Sequence, residues 1–336
     1  MSTLTPQSIL LRVYEDIANT RLLTARLLMS LSQEAKSIGV KNIDWTVDKG
    51  GAEATVEAIN SNGQNTATDA VLPASLPIAS YRVKHQFTLS KVDVVQAMNA
   101  APSALSDLFG AHVRRGVTQI LRRTNQLFYS GTGVANDAQI FGLEYAADNT
   151  LNYAGISPVD EPSWTALKNT NGSNRALTKN LLMNIDKLVN ENESYYDLIV
   201  VNPAVGLKYN EVFDLYTAGG VLTLPDENKQ GLTRVDLGYS SRTYQGVPIV
   251  EDPMCPNNKM YFLNTMDVNP FSFNLDTDAT LAGAEGEMPL SIFGLNIYMG
   301  ELPSMNTAAR TFEIFTLPQL RVFNRKSICV LDNLTA

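Results

Sequence analysis

From Leu105 to Phe128 the apolar residues Leu105, Leu108, Phe109, Val113, Val117, Ile120, Leu121, Leu127 and Phe128 recur in steps of three and four. That rhythm places them on one face of a helix of about seven turns. A shorter helical rhythm runs through residues 8–35, where Leu11, Tyr14, Ala18, Leu22, Ala25 and Met29 alternate with Arg12, Glu15, Arg21 and Arg26. It predicts an amphipathic arm that ends by Gly39 and needs a partner surface. Between the two helices the period shortens. VKNIDWTVDKGGAEATVEAI and ASLPIASYRVKHQFTLS carry β-branched and aromatic residues in partial alternation around SNGQNTATDAVLP. This predicts a long hairpin over 37–95. Lys49, Glu53, Glu57, Arg82 and Lys84 leave it few apolar neighbours, and an isolated two-stranded ribbon is marginal in water. The hairpin is therefore expected to lie on something else.

Beyond the long helix the pattern alternates between the two periods. It predicts a helix over about 177–191, a buried strand in YYDLIVVNP, and a second helix after Pro203. TAGGVLTLPDENKQGLTRVDLGYSS reads as an exposed loop, and TYQGVPIVEDP and NNKMYFLN as strands. These pieces make an α/β lobe over 161–265. The last stretch, LSIFGLNIYMGELP, ARTFEIFTLPQLRVFNR and KSICVLDNL, is strand-like and returns the chain to a second sheet over 266–336. The expected class is α+β.

Charge changes this picture in one place. The chain of 336 residues is acidic, with 34 Asp and Glu against 26 Lys and Arg, which excludes a surface that binds nucleic acid everywhere. Yet Arg114, Arg115, Arg122 and Arg123 line the polar side of the long helix, where Asp107 is the sole acid between Leu105 and Tyr129. That stripe carries a net charge of about +3. Repeated guanidinium groups on one helix meet either acids on neighbouring chains or phosphate backbones.

Catalytic chemistry finds little support. The two histidines, His85 and His112, and two cysteines, Cys255 and Cys329, form no zinc spacing or nucleophile motif. His112 falls near the apolar face of the helix. The acid pairs Glu251/Asp252 and Glu53/Glu57 read as solvated surface. An enzyme site in the 161–265 lobe built on Lys208 or Tyr209 has no nucleophile beside it. No uncharged stretch reaches the roughly 20 residues that span a bilayer, so a soluble, untargeted chain with reduced thiols, no metal and no cofactor is expected.

The segment FYSGTGVANDAQIFGLEY has a Gly-x-Gly but lacks the Lys and Ser/Thr of a phosphate-binding loop. Its glycines also follow a helix, whereas a dinucleotide fold needs a strand there. Gly131 and Gly133 are expected to supply positive φ where the helix ends and the chain reverses.

In order, the pieces resemble the major capsid protein of tailed bacteriophages, the Hong Kong 97-type fold. LFYSGTGVANDAQIFGLEY is similar to that family's spine-helix end, Gly-x-Gly turn (Gly131, Gly133) and Gly-Leu step (Gly142). LIVVNPAVGLKY resembles its strand, Asn-Pro and helix, and TYQGVPIVEDPMCPNNKMYFLN its strand, turn and strand. The resemblance spans about 37–330.

It implies an N-terminal arm (1–36), an extended E-loop (37–95), a P-domain with the spine helix (96–160), an axial A-domain (161–265) and a return to P-domain strands (266–336). It implies a structural protein and no enzyme. Pentamers and hexamers would form an icosahedral virion shell around double-stranded DNA, touched non-specifically. Scaffold, portal and decoration proteins would be partners, with no membrane, and assembly in the host cytoplasm. The stripe Arg114, Arg115, Arg122 and Arg123 would face the inner wall or a neighbouring subunit. Some relatives join an E-loop lysine to a neighbour's asparagine. Lys49 lies in the hairpin, but no matching asparagine and glutamate can be assigned, so an uncrosslinked shell is expected. The same fold also serves encapsulin-type compartments that enclose an enzyme.

Overall fold

A computed structural model describes residues 25–48, 71–92, 95–96, 104–212, 242–275, 290–302 and 309–335. The segment before Ala25, residues 49–70 with Lys49, Glu53 and Glu57, and the whole glycine-rich stretch 217–241 lie outside the described residues.

The fold is organised around α2, the long helix Ala104–Ser130. Phe109, Val113, Val117, Ile120, Leu121, Leu127 and Phe128 are buried along one face, as the rhythm requires. Against that face lies a four-stranded antiparallel sheet in the order β11 (Leu290–Ile292), β12 (Leu295–Leu302), β13 (Ala309–Thr316), β4 (Val83–Ser90). On β4, Val83, Phe87 and Leu89 point inward while Lys84, Gln86 and Thr88 are exposed. Phe87, Phe109 and Phe312 join strand to helix with ring centroids 5.0–5.6 Å apart. The strand β4 therefore belongs to the body. The reading of 37–95 as one continuous hairpin is corrected here, because β4 pairs with β13 from Ser90↔Ala309 to Val83↔Thr316.

The hairpin proper joins β2 (Asn42–Asp48) to β3 (Val71–Pro77), in register from Asn42↔Pro77 to Asp48↔Val71. Its alternation is strict at the base: Ile43, Trp45, Val47, Ala74 and Leu76 are buried in the main core, and the residues between those of β2 are exposed. The surface that the ribbon needs is, at its base, its own chain. Trp45 Nε1 donates to Phe323 O at 3.2 Å, and Ser75 N to Ala154 O at 3.1 Å.

The third sheet has six strands in the order β5 (Leu167–Asn169), β15 (Ile328–Leu331), β9 (Met260–Leu263), β6 (Leu198–Val201), β8 (Val247–Glu251), β7 (Arg242–Tyr244). Both faces are buried, and the period of two divides them between cores. Ile199, Val201, Met260, Phe262, Cys329 and Leu331 belong to a core with Leu182, Ile185 and Val189 of α4 (Lys179–Glu191) and Val205 and Tyr209 of α5 (Pro203–Val212). Leu198, Val200, Tyr261, Leu263, Ile328 and Val330 join the core around α2. One departure from expectation concerns β15. It does not join the sheet packed on α2 but lies inside the six-stranded sheet, antiparallel to β9 and parallel to β5. A buried run such as Ile-Cys-Val-Leu suits a central strand of any sheet, so composition cannot tell which.

A three-stranded sheet of β1 (Lys36–Ile38), β10 (Val268–Phe273) and β14 (Pro318–Val322) completes the body.

Candidate functional site

The N-terminal strap carries the first surprise. The described part of the expected arm is not a helix up to Gly39. It is a six-residue helix, α1 (Arg26–Leu31), a tight turn and strand β1. Leu27, Leu28 and Leu31 are fully buried in the same chain, at roughly 2 kcal/mol of transfer free energy apiece. Ala25 at the N-cap offers no side-chain oxygen, so the first-turn N–H groups need acceptors from elsewhere. They find them on two distant elements. Leu27 N donates to Asp252 Oδ2 at 3.0 Å, and Leu28 N to Asn125 Oδ1 at 3.0 Å.

Asp252 is the hub of this fastening, and its reading as surface solvation is overturned: it is 0% exposed. Its Oδ2 also accepts from Asn125 Nδ2 at 2.8 Å and Tyr129 OH at 3.1 Å, and its Oδ1 from Met254 N at 2.8 Å. Burial first, then the neighbouring Cys255 and Asp252, pushes the Tyr129 phenol far above its ordinary value, so it remains a donor. One carboxylate thus joins strap, long helix α2 and the turn after β8. The sequence held a signal for this. Thr124 and Asn125 interrupt the apolar face of α2 where the rhythm calls for an apolar side chain, and both are 0% exposed.

The turn after α2 is set by close backbone packing. Gly131 N closes the helix on Leu127 O at 2.8 Å, and Gly142 N donates to Gly131 O at 2.9 Å. A Cβ on Gly131 would stand 2.5 Å from Ile140 O, and one on Gly142 would stand 2.6 Å from Gly131 N. Only Gly133 of the pair has positive φ, at 75°. Gly131 is therefore required by proximity rather than by handedness, which corrects the expectation. Gln319, 1% exposed, locks this turn to the hairpin. Its Nε2 donates to Pro77 O at 2.7 Å and Gln139 O at 2.9 Å, and its Oε1 accepts from Phe141 N and Leu320 N at 3.1 Å. All four capacities of the amide are used.

The arginines Arg114, Arg115, Arg122 and Arg123 are all exposed along α2. Arg123 is engaged within the chain, with Gln126 Oε1 at 3.1 Å and Asp137 at 3.8 Å, so its charge is partly answered already. Arg115 lies near both histidines. His112 stacks on Phe87 with centroids 5.3 Å apart, and a Cβ on Gly116 would stand 3.0 Å from the His85 ring. Burial, then Arg115 and His112, lowers the His85 pKa. The folded chain therefore binds this proton less readily than the unfolded chain, and stability falls as pH drops below about 6.5 toward the lowered value. Replacing His85 with Gln should flatten that limb of a melting-temperature profile against pH; an unaltered acid limb would show that the cluster is not its source.

The residues considered for catalysis are occupied structurally. Lys208 pairs with Glu211 at 3.0 Å, and Tyr209 donates to Thr243 O at 2.9 Å with its phenol pushed up to about 12 by burial. Among the described residues no cluster of His, Cys, Asp or Glu could hold a metal, and no helix is long and apolar enough to cross a membrane.

Compared by sequence, the chain matches no protein-family model and no curated protein. By structure it is similar to a chain of the cyanophage A-1(L) capsid asymmetric unit, with TM-score 0.74 and 24% identity over 95% of each chain. It is also similar to the capsid of a native GTA particle, with TM-score 0.60 and 13% identity over 92% of this chain and 91% of that one. The holo-SrpI encapsulin complex from Synechococcus elongatus matches with TM-score 0.52 and 14% identity, over 91% of this chain and 87% of that one. The chain has the fold of phage capsid proteins.

Proposed function

We propose that this protein is the major shell subunit of a tailed-phage head, assembling with copies of itself around double-stranded DNA. The observation that carries this reading is the likeness to a chain of the cyanophage A-1(L) capsid over 95% of both lengths. In this reading the hairpin is the E-loop, with its base docked at Trp45. The helix Ala104–Ser130 is the spine, and the lobe around the six-stranded sheet is the axial A-domain. Pentamers and hexamers close the shell because head-to-tail contacts close around five- and six-fold axes. Scaffold, portal and decoration proteins would act with it, and assembly would take place in the host cytoplasm. Lys49, outside the described residues, would remain uncrosslinked.

Electron microscopy of the purified protein tests the class: uniform polyhedral shells support it, and a dispersed monomer would refute it. Nuclease-protected DNA within shells favours the phage head, whereas a co-purifying cargo protein favours the encapsulin-type compartment.

The arginine stripe would moderate repulsion between an acidic shell and packaged DNA, or pair with a neighbouring subunit. Arg115 and Arg122 are the members to alter, since Arg123 already meets Asp137. Replacing both with Glu reverses two charges on one helix face and should lower particle yield or genome content severalfold. Wild-type yield with a full genome would exclude both roles.

A further inference from the structure

We propose that Asn171 is a self-modifying position, whose side-chain amide closes on the backbone nitrogen of Gly172 and hydrolyses to aspartate and isoaspartate at the clasp of the C-terminal tail. This inference is independent of the shell reading.

The attack needs an unhindered backbone nitrogen after the asparagine, and glycine, without a Cβ, hinders it least. Both residues are exposed, and a Cβ built on Gly172 would meet nothing within 4 Å. The Asn171 side chain is also folded toward the group it would meet: Nδ2 donates to Ser173 O, two residues on, at 3.1 Å. That bond spans Gly172 and ties the Asn171 side chain to the segment that carries the attacking nitrogen. Folded chains slow this chemistry where packing holds side chain and backbone apart, and around Gly172 there is no such packing within 4 Å.

The step balances with water as its only co-reactant. The Gly172 nitrogen, losing its proton, bonds to Asn171 Cγ, and the Cγ–Nδ2 bond breaks to release ammonia. Water then opens the succinimide at one carbonyl or the other. Opening on one side restores the ordinary backbone with a carboxylate side chain. Opening on the other routes the backbone through the former side chain and lengthens it by a methylene.

The position matters because residues 169–175 grip the tail. Arg175 N donates to Asn333 O at 2.7 Å, Thr335 N to Arg175 O at 2.9 Å, and Asp332 N to Asn169 O at 3.3 Å. Arg175 Nη2 donates to Asn169 O at 2.7 Å, and Asn333 Nδ2 donates to Asn171 O. A lengthened backbone at Asn171 displaces the carbonyl that Asn333 uses. Either product adds a negative charge to a chain already at −8.

The test incubates the full-length chain at mildly alkaline pH, folded and in denaturant, and follows the Asn171 peptide by mass for conversion of amide to acid. Isoaspartyl methyltransferase with a labelled methyl donor reports the isoaspartate product. Conversion in the folded chain should be at least as fast as in the unfolded chain. Gly172→Ala should slow it severalfold, and Asn171→Gln should remove the signal at that peptide. Persistence of the Asn171 amide in the folded chain, under conditions that convert it in the unfolded chain, overturns the proposal. So does a rate unaffected by Gly172→Ala.

Discussion

Replacing Asp252 with alanine should lower the unfolding free energy by about 3–5 kcal/mol, because it orphans buried donors on three separate elements at once. In a chain of this size that corresponds to a fall in melting temperature of roughly 4–7 °C. Leu27 N, Asn125 Nδ2, Tyr129 OH and Met254 N all aim at this carboxylate, and water cannot reach it in compensation. The loss should also be local in a recognisable way. Hydrogen exchange at Leu27 and Leu28 should accelerate more than exchange along β6, since α1 has no cap of its own. Asp252→Asn retains one carbonyl acceptor but turns the other position into a donor facing donors, so it should fall between wild type and alanine. A variant Asp252→Ala that melts with the wild type and protects α1 equally would show that apolar burial alone holds the strap.

Arg325 should be as costly to alter, and lysine should not rescue it. The residue is 0% exposed. Its Nε donates to Ala146 O at 2.8 Å, Nη1 to Trp164 O at 3.2 Å, and Nη2 to Asp148 O at 2.5 Å, above the Tyr153 ring at 6.0 Å. The planar guanidinium reaches carbonyls fanned around it, whereas an ammonium is a single point of donation. Arg325→Met keeps much of the volume but leaves these carbonyls dry, a loss of about 3–5 kcal/mol. Arg325→Lys should lose nearly as much. Chemical denaturation of the three proteins checks this. Stability of the lysine variant close to wild type would mean that charge, and not the fan of donors, matters at this position.

Much of the framework was legible in the residues. The rhythm from Leu105 to Phe128 marks a helix whose observed bounds, Ala104–Ser130, differ from it by a residue or two. The helix read over 177–191 spans Lys179–Glu191, begun by Thr178 accepting from Leu181 N, and the helix after Pro203 is α5. Long periodic segments are legible because burial of a whole face is an energetic demand that every residue in the segment repeats. The hairpin base followed the same logic, but its extent did not. Val83, Phe87 and Leu89 alternate as well as Ile43, Trp45 and Val47 do, and alternation reports a buried face without naming what covers it.

The fastenings were not legible for a related reason. Asp252 stands beside Glu251 in a polar turn, and adjacent acids are mostly surface. Arg325 looks like any arginine in a turn, and Gln319 like any polar residue in a strand. Each is buried because of partners that are near in space only.

The sequence by itself determined the elements, their apolar faces, the glycines of the turn and the basic stripe, because those properties arise between residues a few positions apart. The tertiary structure alone decided which sheet takes β4 and which takes β15, that the strap lies on its own body, and that one carboxylate holds it there. Asp252 meets Leu27 across 225 positions and Asn125 across 127. A hydrogen bond depends on distance and direction between two groups, and no local pattern encodes either until the chain has folded.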